Sequence, residues 1–431
     1  MQPETASSQD LAATIRDRAT PLPPLDDPGF GRAFDRWADR RIILLGEASH
    51  GTSEFYRARA AITAHLIRNH GVSIVALEAD WPDAAAVNRL VRGRPIDRGE
   101  PPFQRFPQWM WRNAEFFAFV DWLRGWNLGH PEMQAGLYGL DMYSLYGSIR
   151  AVLDYLDQID PEAAALARER YACLEPWTRA AVPAAADARL RACEEAVIRQ
   201  CRELLERRMR YEPRDPDAFL DAAQNARLIT AAERYYRLMH HGGASSWNLR
   251  DRHMFETLCH LMERDGAKAV VWAHNSHIGD ARETTMGTKL GELNLGQLCR
   301  EKWGDAVALL GFGTHGGTVA AASAWDAEME VKALRPARPG SFEAACHDAG
   351  QSSFLLELGD AAPELAGAAP LLQRFIGVIY RPESELMSHY LETRPARQYD
   401  GWVWFDETSA VDAAPARGAK DGIPETWPWG L

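Results

Sequence analysis

A glutamate and a histidine stand three residues apart in the stretch "GEASHG", which follows the apolar run "RIILL". The run is typical of a buried strand, so Glu47 and His50 would follow its carboxyl end, where α/β proteins commonly place functional groups. A carboxylate can fix the tautomer of a neighbouring imidazole, and the imidazole can then act as a general base. A loop pair that only caps the following helix explains this stretch equally well.

Three further apolar runs also end in acids or histidines. Glu78 closes the run in "VALEAD", Asp141 closes "YGLD", and two histidines, His274 and His277, follow "VVWA". Taken one at a time, each of these residues is more often structural than functional. However, the carboxyl ends of parallel strands meet at one edge of a sheet. Four strands that each deliver such a group therefore predict a shared crevice.

Arg59 lies nine residues after His50, on the helix predicted to follow it. It could pair with one of the acids or stabilise a developing oxyanion, and a surface ion pair is the alternative. A divalent metal is compatible with the sequence but not required by it, because the chain lacks the H-E-x-x-H pattern. The conceivable ligands are Glu47, His50, Glu78 and His274.

The elements that must position these residues alternate along the chain. Short apolar runs followed by helical patterns predict an α/β fold with a mostly parallel sheet, covered by helices on both faces. The predicted strands lie within residues 41–47, 72–80, 135–143, 267–277, 306–313 and 375–381. Residues 150–265 contain helical patterns only and are predicted to form a large helical insertion, either a lid or a cleft wall. Residues 1–28 are predicted to form an N-terminal arm, which leaves one α/β domain over residues 29–431.

The composition limits the class of protein. Sixty acidic and 48 basic residues give a formal net charge of −12, which disfavours nucleic-acid binding. No apolar stretch reaches the roughly 18 residues of a membrane span, and the first residues lack the pattern of a signal peptide, so a cytoplasmic protein is expected. The scattered cysteines are expected to be mostly reduced packing residues. They are Cys173, Cys193, Cys201, Cys259, Cys299 and Cys346.

The tryptophans suggest possible ligands, and the absence of some motifs disfavours several enzyme classes. The chain has 15 tryptophans; most are expected to pack between helices, but a minority could line a groove for an apolar or sugar-bearing ligand. The run "GFGTHG" (311–316) has no clear helix after it, so dinucleotide binding is disfavoured, although His315 could still face the cleft. The absence of a G-x-S-x-G elbow and of a P-loop disfavours serine α/β-hydrolases and the common phosphate-loop enzymes.

Several stretches resemble the erythromycin esterase family. The resemblance rests on "LLGEASHGTSEFYRARAAITAHLI", "VALEADWPDAAAVNRLVRG", "WNLRDRHMFETL", "VVWAHNSHIGD" and "YDGWVWFDET", and it extends over nearly the whole chain. It implies a three-layer α/β core with helical additions and a deep cleft. It also implies hydrolysis of an ester, which in the best-known members is the lactone of macrolides such as erythromycin.

The resemblance also implies roles for individual residues. The family's catalytic histidine falls on His50, and its companion acid, arginine, second acid and later histidine fall on Glu47, Arg59, Glu78 and His274. His277 matches the second histidine of the later motif. The residues expected to contact the substrate are His277, Asp141, Trp81 and Trp109.

The expected mechanism needs no serine or cysteine nucleophile. His50 would deprotonate a water that attacks the ester carbonyl, while Glu47 and Glu78 orient the base or the water. His274 and Arg59 would stabilise the oxyanion or protonate the leaving alkoxide. Two alternatives stay open: a metal-dependent hydrolase that uses the same residues, and a protein that binds an acylated saccharide, or assists biosynthesis, without turnover. The expected partner is a small-molecule ester, with no nucleic acid and no membrane.

Overall fold

The strands of the molecule belong to one large sheet and one small one. The computed structural model describes residues 8–95, 101–174, 187–239, 243–367 and 369–414. In chain order, the strands are β1 (Thr20–Pro21), β2 (Ile42–Leu45), β3 (Ile74–Asp80), β4 (Gly136–Asp141), β5 (Ala269–Trp272), β6 (Val307–Ala322), β7 (Met329–Leu334), β8 (Ser353–Glu357), β9 (Leu371–Arg374), β10 (Tyr390–Thr393) and β11 (Gly401–Thr408).

Six neighbouring strands of the nine-stranded sheet run parallel, in the order β11-β6-β2-β5-β3-β4. β8 and β1 extend one edge in antiparallel fashion, and β7 pairs with the second half of β6. β9 and β10 form the separate two-stranded sheet. The predicted mostly parallel sheet is therefore confirmed.

The α-helices cover the sheet and fill the long connection between β4 and β5. They are α1 (Ser8–Arg18), α2 (Ser53–His70), α3 (Trp81–Val91), α4 (Gln108–Trp111), α5 (Ala114–Gly129), α6 (Leu145–Ile159), α7 (Pro161–Tyr171), α8 (Asp187–Glu206), α9 (Arg208–Tyr211), α10 (Pro216–Met239), α11 (Ala244–Leu261), α12 (Asn275–Ile278), α13 (Leu295–Trp303), α14 (Phe342–Asp348), α15 (Pro363–Ala366), α16 (Glu385–Ser388) and α17 (Pro395–Gln398). Helices of other types include the 3₁₀-helix Phe30–Trp37 and the π-helix Met286–Leu290.

Side chains of the central strands alternate between two hydrophobic clusters, because successive residues of a strand point to opposite faces. Ile43 and Leu45 of β2 pack with the 3₁₀-helix Phe30–Trp37, α2, α3 and α5. Ile42 and Leu44 pack with α13, α14 and the helices between β4 and β5. All four side chains are buried, as expected for a parallel strand covered on both faces. The α/β fold with three layers is therefore confirmed.

The connection between β4 and β5 is helical in its described residues, in agreement with the prediction for residues 150–265. Its last helix, α11, lies against β3 and β4. The described helices between β4 and β5 cover one face of the sheet. That they move as a lid stays a prediction. No helix in the described part of the chain has the length and hydropathy that a membrane span requires.

Two of the predicted elements differ from the structure. The run 375–381 is not a strand: Ile376 and Ile379 make single bridges, to Ser49 and Ala322. This run is apolar because it is packed between the loop after β2 and the end of β6, and that burial looks the same in the sequence as a strand. The prediction of a strand at 306–313 was too short, since "GFGTHG" lies inside the continuous strand β6. His315 of β6 stacks on His347 at 3.6 Å.

The N-terminal region packs on the edge of the sheet where it is described. α1 lies against α14, and Thr20 and Pro21 of β1 pair with Leu355 and Phe354 of β8. Residues 1–7 of the predicted arm lie outside the described residues. From residue 8 onward the arm is attached to the domain by a short antiparallel pairing.

The expectation that the cysteines are mostly reduced is wrong for one pair. Cys173 and Cys193 form a disulfide across a sequence separation of 20 residues, with Cα atoms 5.6 Å apart. Cys173 follows α7 and Cys193 lies in α8, and these two helices are in contact. The pairing depends on how two helices dock, which scattered cysteines in a sequence do not reveal. The remaining four cysteines are free.

Candidate active site

Four neighbouring strands deliver the predicted chemical groups to one edge of the sheet. Glu47 and His50 follow β2, and His274 follows β5. Glu78 lies near the end of β3, and Asp141 ends β4. Because β2, β5, β3 and β4 are adjacent and parallel, their carboxyl ends meet, and the five side chains converge.

Tight packing shapes the loop that follows β2, residues 46–51. A Cβ atom at Gly46 would lie 2.1 Å from Oδ1 of Asn275, and one at Gly51 would lie 1.9 Å from the carbonyl oxygen of Ala320. A side chain at Gly51 would collide with the backbone of β6, and one at Gly46 would displace the side chain of Asn275 in α12, whose amide is hydrogen-bonded to Phe312. This packing fixes the two ionisable side chains between the glycines.

His50 is bonded on one side of its ring and free on the other. Its Nδ1 lies 2.9 Å from Oε1 of Glu47, and Oε2 of the same carboxylate lies 2.6 Å from Nη2 of Arg59. An ionised carboxylate only accepts hydrogen bonds, so Nδ1 carries the proton and Nε2 keeps its lone pair. Nε2 makes no hydrogen bond to a described residue. The geometry is that of a general base with its tautomer fixed.

Arg59 is a buried cation that compensates the charge of Glu47. Both side chains are fully buried, which rules out the surface ion pair considered from the sequence. The guanidinium carbon lies 4.5 Å from the ring centroid of Tyr56 and 5.0 Å from that of Trp272. These cation–π contacts hold the charge behind the Glu47–His50 pair. Arg59 is thus placed to position the base.

His274 faces His50 with the opposite hydrogen-bonding character. The two ring centroids are 4.9 Å apart. As the N-cap of α12, Nδ1 of His274 accepts the backbone N–H of Ser276 at 3.3 Å and lies 2.8 Å from its hydroxyl oxygen. A neutral ring that accepts at Nδ1 carries its proton on Nε2. That Nε2 is buried and has no hydrogen-bond partner among the described residues.

The protonation state of His274 follows from its surroundings. Burial, followed by repulsion from His50, lowers the pKa of His274 well below its usual value. The carbonyl group of Ala48 acts in the opposite direction, without meeting hydrogen-bond geometry at Nε2. At neutral pH the ring is therefore neutral and offers an N–H donor close to the base.

Glu78 connects His274 to a second set of charged residues. Its Oε2 accepts the backbone N–H of His274 at 2.8 Å. Its Oε1 lies 2.8 Å from Nη2 of Arg250 and 3.2 Å from Nε2 of His277. On the other side of that ring, Nδ1 of His277 lies 2.9 Å from Asp251. Both nitrogens of His277 therefore contact carboxylates.

Opposite charges decide the protonation states of this second set. Burial opposes a charge on His277, but Asp251 and Glu78 outweigh it and raise the pKa of His277 to about 9. Burial likewise disfavours the ionised form of Glu78, but His277 and Arg250 outweigh it and lower the pKa of Glu78 well below its usual value. The two carboxylates favour an imidazolium, whereas Nη1 of Arg250, which lies 3.2 Å from Nε2 of His277, opposes it.

Arg250 and Asp251 of α11 were not singled out from the sequence. Arg250 binds Asp141 through two parallel contacts, from Nε to Oδ1 at 3.0 Å and from Nη2 to Oδ2 at 2.6 Å. Adjacent charged residues in a helical stretch normally indicate a solvated face. The sequence signal for Arg250 and Asp251 is the stretch "WNLRDRHMFETL", which belongs to the family resemblance. Its local pattern indicates only a helix.

The polar residues expected to contact a substrate have protein partners. Asp141 is held by Arg250, and His277 is held by its carboxylates and stacks on Trp247, with centroids 4.6 Å apart. These partners indicate that His277 and Asp141 position other groups of the site. Contact with a substrate stays a prediction for both.

The two tryptophans lie in different environments. Trp81 is buried, packs against Tyr138, and donates from Nε1 to Oδ1 of Asp221 at 2.7 Å, which ties α3 to α10. Trp109 of α4 is also buried, and its indole N–H has no hydrogen-bond partner among the described residues. The packing interpretation accounts for Trp81, and a role in substrate binding stays a prediction for both.

The side chains at the strand ends fit charge pairing better than metal binding. Each oxygen of Glu47 and Glu78 already contacts a hydrogen-bond donor, and each carboxylate is paired with a guanidinium. Among the described residues, the one group of three potential metal ligands whose donor atoms lie within 4.8 Å of one another is elsewhere, at Asp35, His65 and His70. A metal bound by Glu47 or Glu78 would have to compete with the buried arginine that each carboxylate already binds.

Comparison with protein families finds a match over most of the chain. A family model described as erythromycin esterase matches residues 67–408. The matched region contains Glu78, His274 and His277 and begins after Glu47 and His50.

Solved structures share the fold over nearly the whole chain. A protein from Bacillus cereus superimposes with a TM-score of 0.80 at 18% identity, covering 95% of this chain and 100% of its own. A succinoglycan biosynthesis protein gives a TM-score of 0.77 at 19% identity, covering 94% and 99%. The erythromycin esterase EreC, a histidine-to-asparagine mutant in its open conformation, gives 0.68 at 17% identity, covering 93% and 99%. At these identities the likeness establishes the fold alone.

Proposed function

The chain belongs to the erythromycin esterase family, and on that premise we propose that it hydrolyses a carboxylic ester with a water molecule activated by His50. The observation that carries the proposal is the pairing of two imidazoles of opposite character. Nε2 of His50 is an acceptor and Nε2 of His274 is a donor, and the two rings lie 4.9 Å apart at the same sheet edge. Ester hydrolysis by water requires one of each.

The reaction begins with deprotonation of water by Nε2 of His50. The water oxygen forms a bond to the ester carbonyl carbon, and its proton moves to Nε2. The resulting imidazolium is stabilised by Glu47, whose other oxygen is paired with Arg59. Glu47 therefore fixes the tautomer before the step and balances the charge after it.

His274 acts on the other reacting atom. Its Nε2–H donates to the carbonyl oxygen as negative charge develops there, in a buried environment where such a bond is strong. When the tetrahedral intermediate collapses, the C–O bond to the alkoxide breaks and the alkoxide takes the proton from His50. The products are a carboxylic acid and an alcohol, and the base returns to its starting state.

The proposed substrate is a small-molecule ester, and a macrolide lactone is the first member of that class to test. The structural neighbour EreC is an erythromycin esterase, which supports testing a macrolide first. Hydrolysis of a macrolide would make the protein an antibiotic resistance enzyme. The succinoglycan biosynthesis protein among the neighbours supports the second candidate, a protein that binds an acylated saccharide without turning it over. We further propose a cytoplasmic location, and no requirement for a metal in the chemical step.

A panel of macrolides and activated esters, incubated with the purified protein in ¹⁸O-labelled water, tests the function. We expect a mass gain of one water for at least one ester, with the label in the acid product. Chelator-treated protein should react at the same rate as untreated protein. Binding of a ligand without turnover across the panel would favour the binding protein, and loss of activity on chelation would favour the metal-dependent hydrolase.

A further inference from the structure

Three potential metal ligands converge outside the cleft, and we name them the Asp35 cluster: Asp35, His65 and His70. Asp35 lies in the 3₁₀-helix Phe30–Trp37, and the two histidines lie in the C-terminal part of α2. The Nε2 atoms of His65 and His70 lie 2.6 and 2.8 Å from the same oxygen, Oδ1 of Asp35. The donor atoms of all three residues lie within 4.8 Å of one another.

The two elements that carry the cluster are firmly docked. Phe30 and Phe34 of the 3₁₀-helix pack in the same buried cluster as Ile62 and Leu66 of α2. The spacing between the ligands is therefore set by a hydrophobic contact and does not depend on long surface side chains finding each other. A site whose ligands are held by packed elements loses less conformational entropy when it binds an ion.

The side chains of the Asp35 cluster range from nearly buried to half exposed, so the cluster is open to solvent on one side. The side chain of His65 is 11% exposed, that of His70 is 27% exposed, and that of Asp35 is 47% exposed. Beside the inner histidine, the amide nitrogen of Asn69 lies 3.1 Å from Nδ1 of His65. A histidine that binds a metal through Nε2 carries its proton on Nδ1, so the amide of Asn69 must turn away or present its oxygen there when the ion binds. The solvent side of the cluster remains open for water ligands.

We propose that Asp35, His65 and His70 bind one divalent transition-metal ion, with Zn²⁺ as the ion to test first. Two imidazole nitrogens and one carboxylate oxygen are a donor set that such ions prefer, with water completing the coordination. Binding replaces the two Nε2–H groups that now point at Asp35. Each histidine binds the ion through Nε2 as a neutral ring with its single proton on Nδ1, and a ring that was charged releases one proton to solvent. The bound ion links the 3₁₀-helix Phe30–Trp37 to the end of α2, the helix that carries Arg59.

The Asp35 cluster shares no residue with the proposed active site. The proposal of a metal site and the proposal of ester hydrolysis can therefore fail independently. An ion at the Asp35 cluster contributes to stability and does not enter the hydrolytic step. A metal found in the purified protein would therefore be removable without loss of hydrolysis. The purified protein can therefore contain a metal ion at the Asp35 cluster although its hydrolytic activity does not depend on a metal.

The test titrates Zn²⁺ into the full chain after chelation and dialysis, and follows binding by calorimetry and by the melting temperature. We expect one equivalent to bind to the wild type and to raise the melting temperature. His70→Ala and Asp35→Asn should each weaken binding by about 10-fold or more, since even an outer-shell partner of a metal is worth 10–100-fold. Asp35→Asn keeps the shape of the side chain, so its apo form should remain folded, as circular dichroism would verify.

Two further variants act as controls. His347 also contacts an aspartate, Asp406, at 2.8 Å, but within the described part of the chain the two belong to no three-ligand group of this spacing. His347→Ala should bind Zn²⁺ like the wild type, and so should His50→Ala. The proposal is overturned if the wild type binds no Zn²⁺, if His70→Ala and Asp35→Asn bind it unchanged, or if His50→Ala alone abolishes binding.

Discussion

The ring centroids of His50 and His274 lie 4.9 Å apart. The hydrogen bonds at the two Nδ1 atoms leave Nε2 of His50 as an acceptor and Nε2 of His274 as a donor. Glu47 accepts a hydrogen bond from Nδ1–H of His50, whereas the backbone N–H of Ser276 donates to Nδ1 of His274. Each ring thus has its tautomer set by a group that takes no direct part in the reaction. This division of roles follows from the loops after β2 and β5, which are neighbouring strands.

Replacement of His274 by asparagine should lower kcat with little change in KM. Asparagine is a good N-cap and can still accept the backbone N–H of Ser276, but it removes the Nε2–H donor. Loss of one oxyanion donor typically costs about 10²–10³ in kcat. Steady-state kinetics on an ester from the panel measures this effect. Ser276→Ala, which leaves that N–H in place, should lose far less activity. An unchanged kcat in His274→Asn would remove this residue from the mechanism.

Glu47 and Arg59 should be strongly coupled in stability. Both are fully buried, and Glu47→Gln leaves an uncompensated guanidinium while Arg59→Met leaves an uncompensated carboxylate. Each single change should cost about 3–5 kcal/mol of unfolding free energy, as for other broken buried pairs. The double variant should cost clearly less than the sum. Urea unfolding of the four proteins measures this difference, and additive effects would mean that the pair is not a unit.

The stability of the protein should fall as the pH rises from about 6.5 towards 9. Asp251 and Glu78 raise the pKa of His277 to about 9 against burial, so its ion pairs stabilise the folded state fully below the unfolded value near 6.5. The contribution is lost as the pH rises through the folded pKa. Melting temperatures of wild type and His277→Gln should therefore differ most at pH 6 and converge at about pH 10. A constant difference across this range would show that His277 is not charged in the folded protein.

Reduction of the disulfide should destabilise the protein without affecting its chemistry. Cys173 and Cys193 close a separation of 20 residues, for which the chain-entropy model gives about 3 kcal/mol. Thermal unfolding with and without dithiothreitol should show a lower melting temperature for the reduced form, and Cys193→Ser should match that form. Cys259→Ser, a change at a free cysteine, is the control. Equal melting temperatures would indicate that the bridge adds nothing.

The sequence was sufficient for those parts of the site that depend on strand order. Glu47, Glu78 and His274 could be predicted to converge because each follows or ends an apolar run, and parallel strands end at one edge. Arg250 could not be placed in the same way, because it lies 172 residues from Glu78 and its helix has no periodic signal that points to the sheet edge. The disulfide was missed for a similar reason. Pairings that depend on helix docking leave no trace in local spacing.

The most direct test of the account is the hydrolysis rate of His50→Ala on an ester that the wild type cleaves. Removal of a general base typically costs about 10²–10⁴-fold in rate, and here no serine or cysteine nucleophile is proposed to take over. We therefore predict that kcat/KM falls by at least this factor while circular dichroism and the melting temperature stay close to those of the wild type. A folded His50→Ala protein that hydrolyses the ester at the wild-type rate would contradict the account.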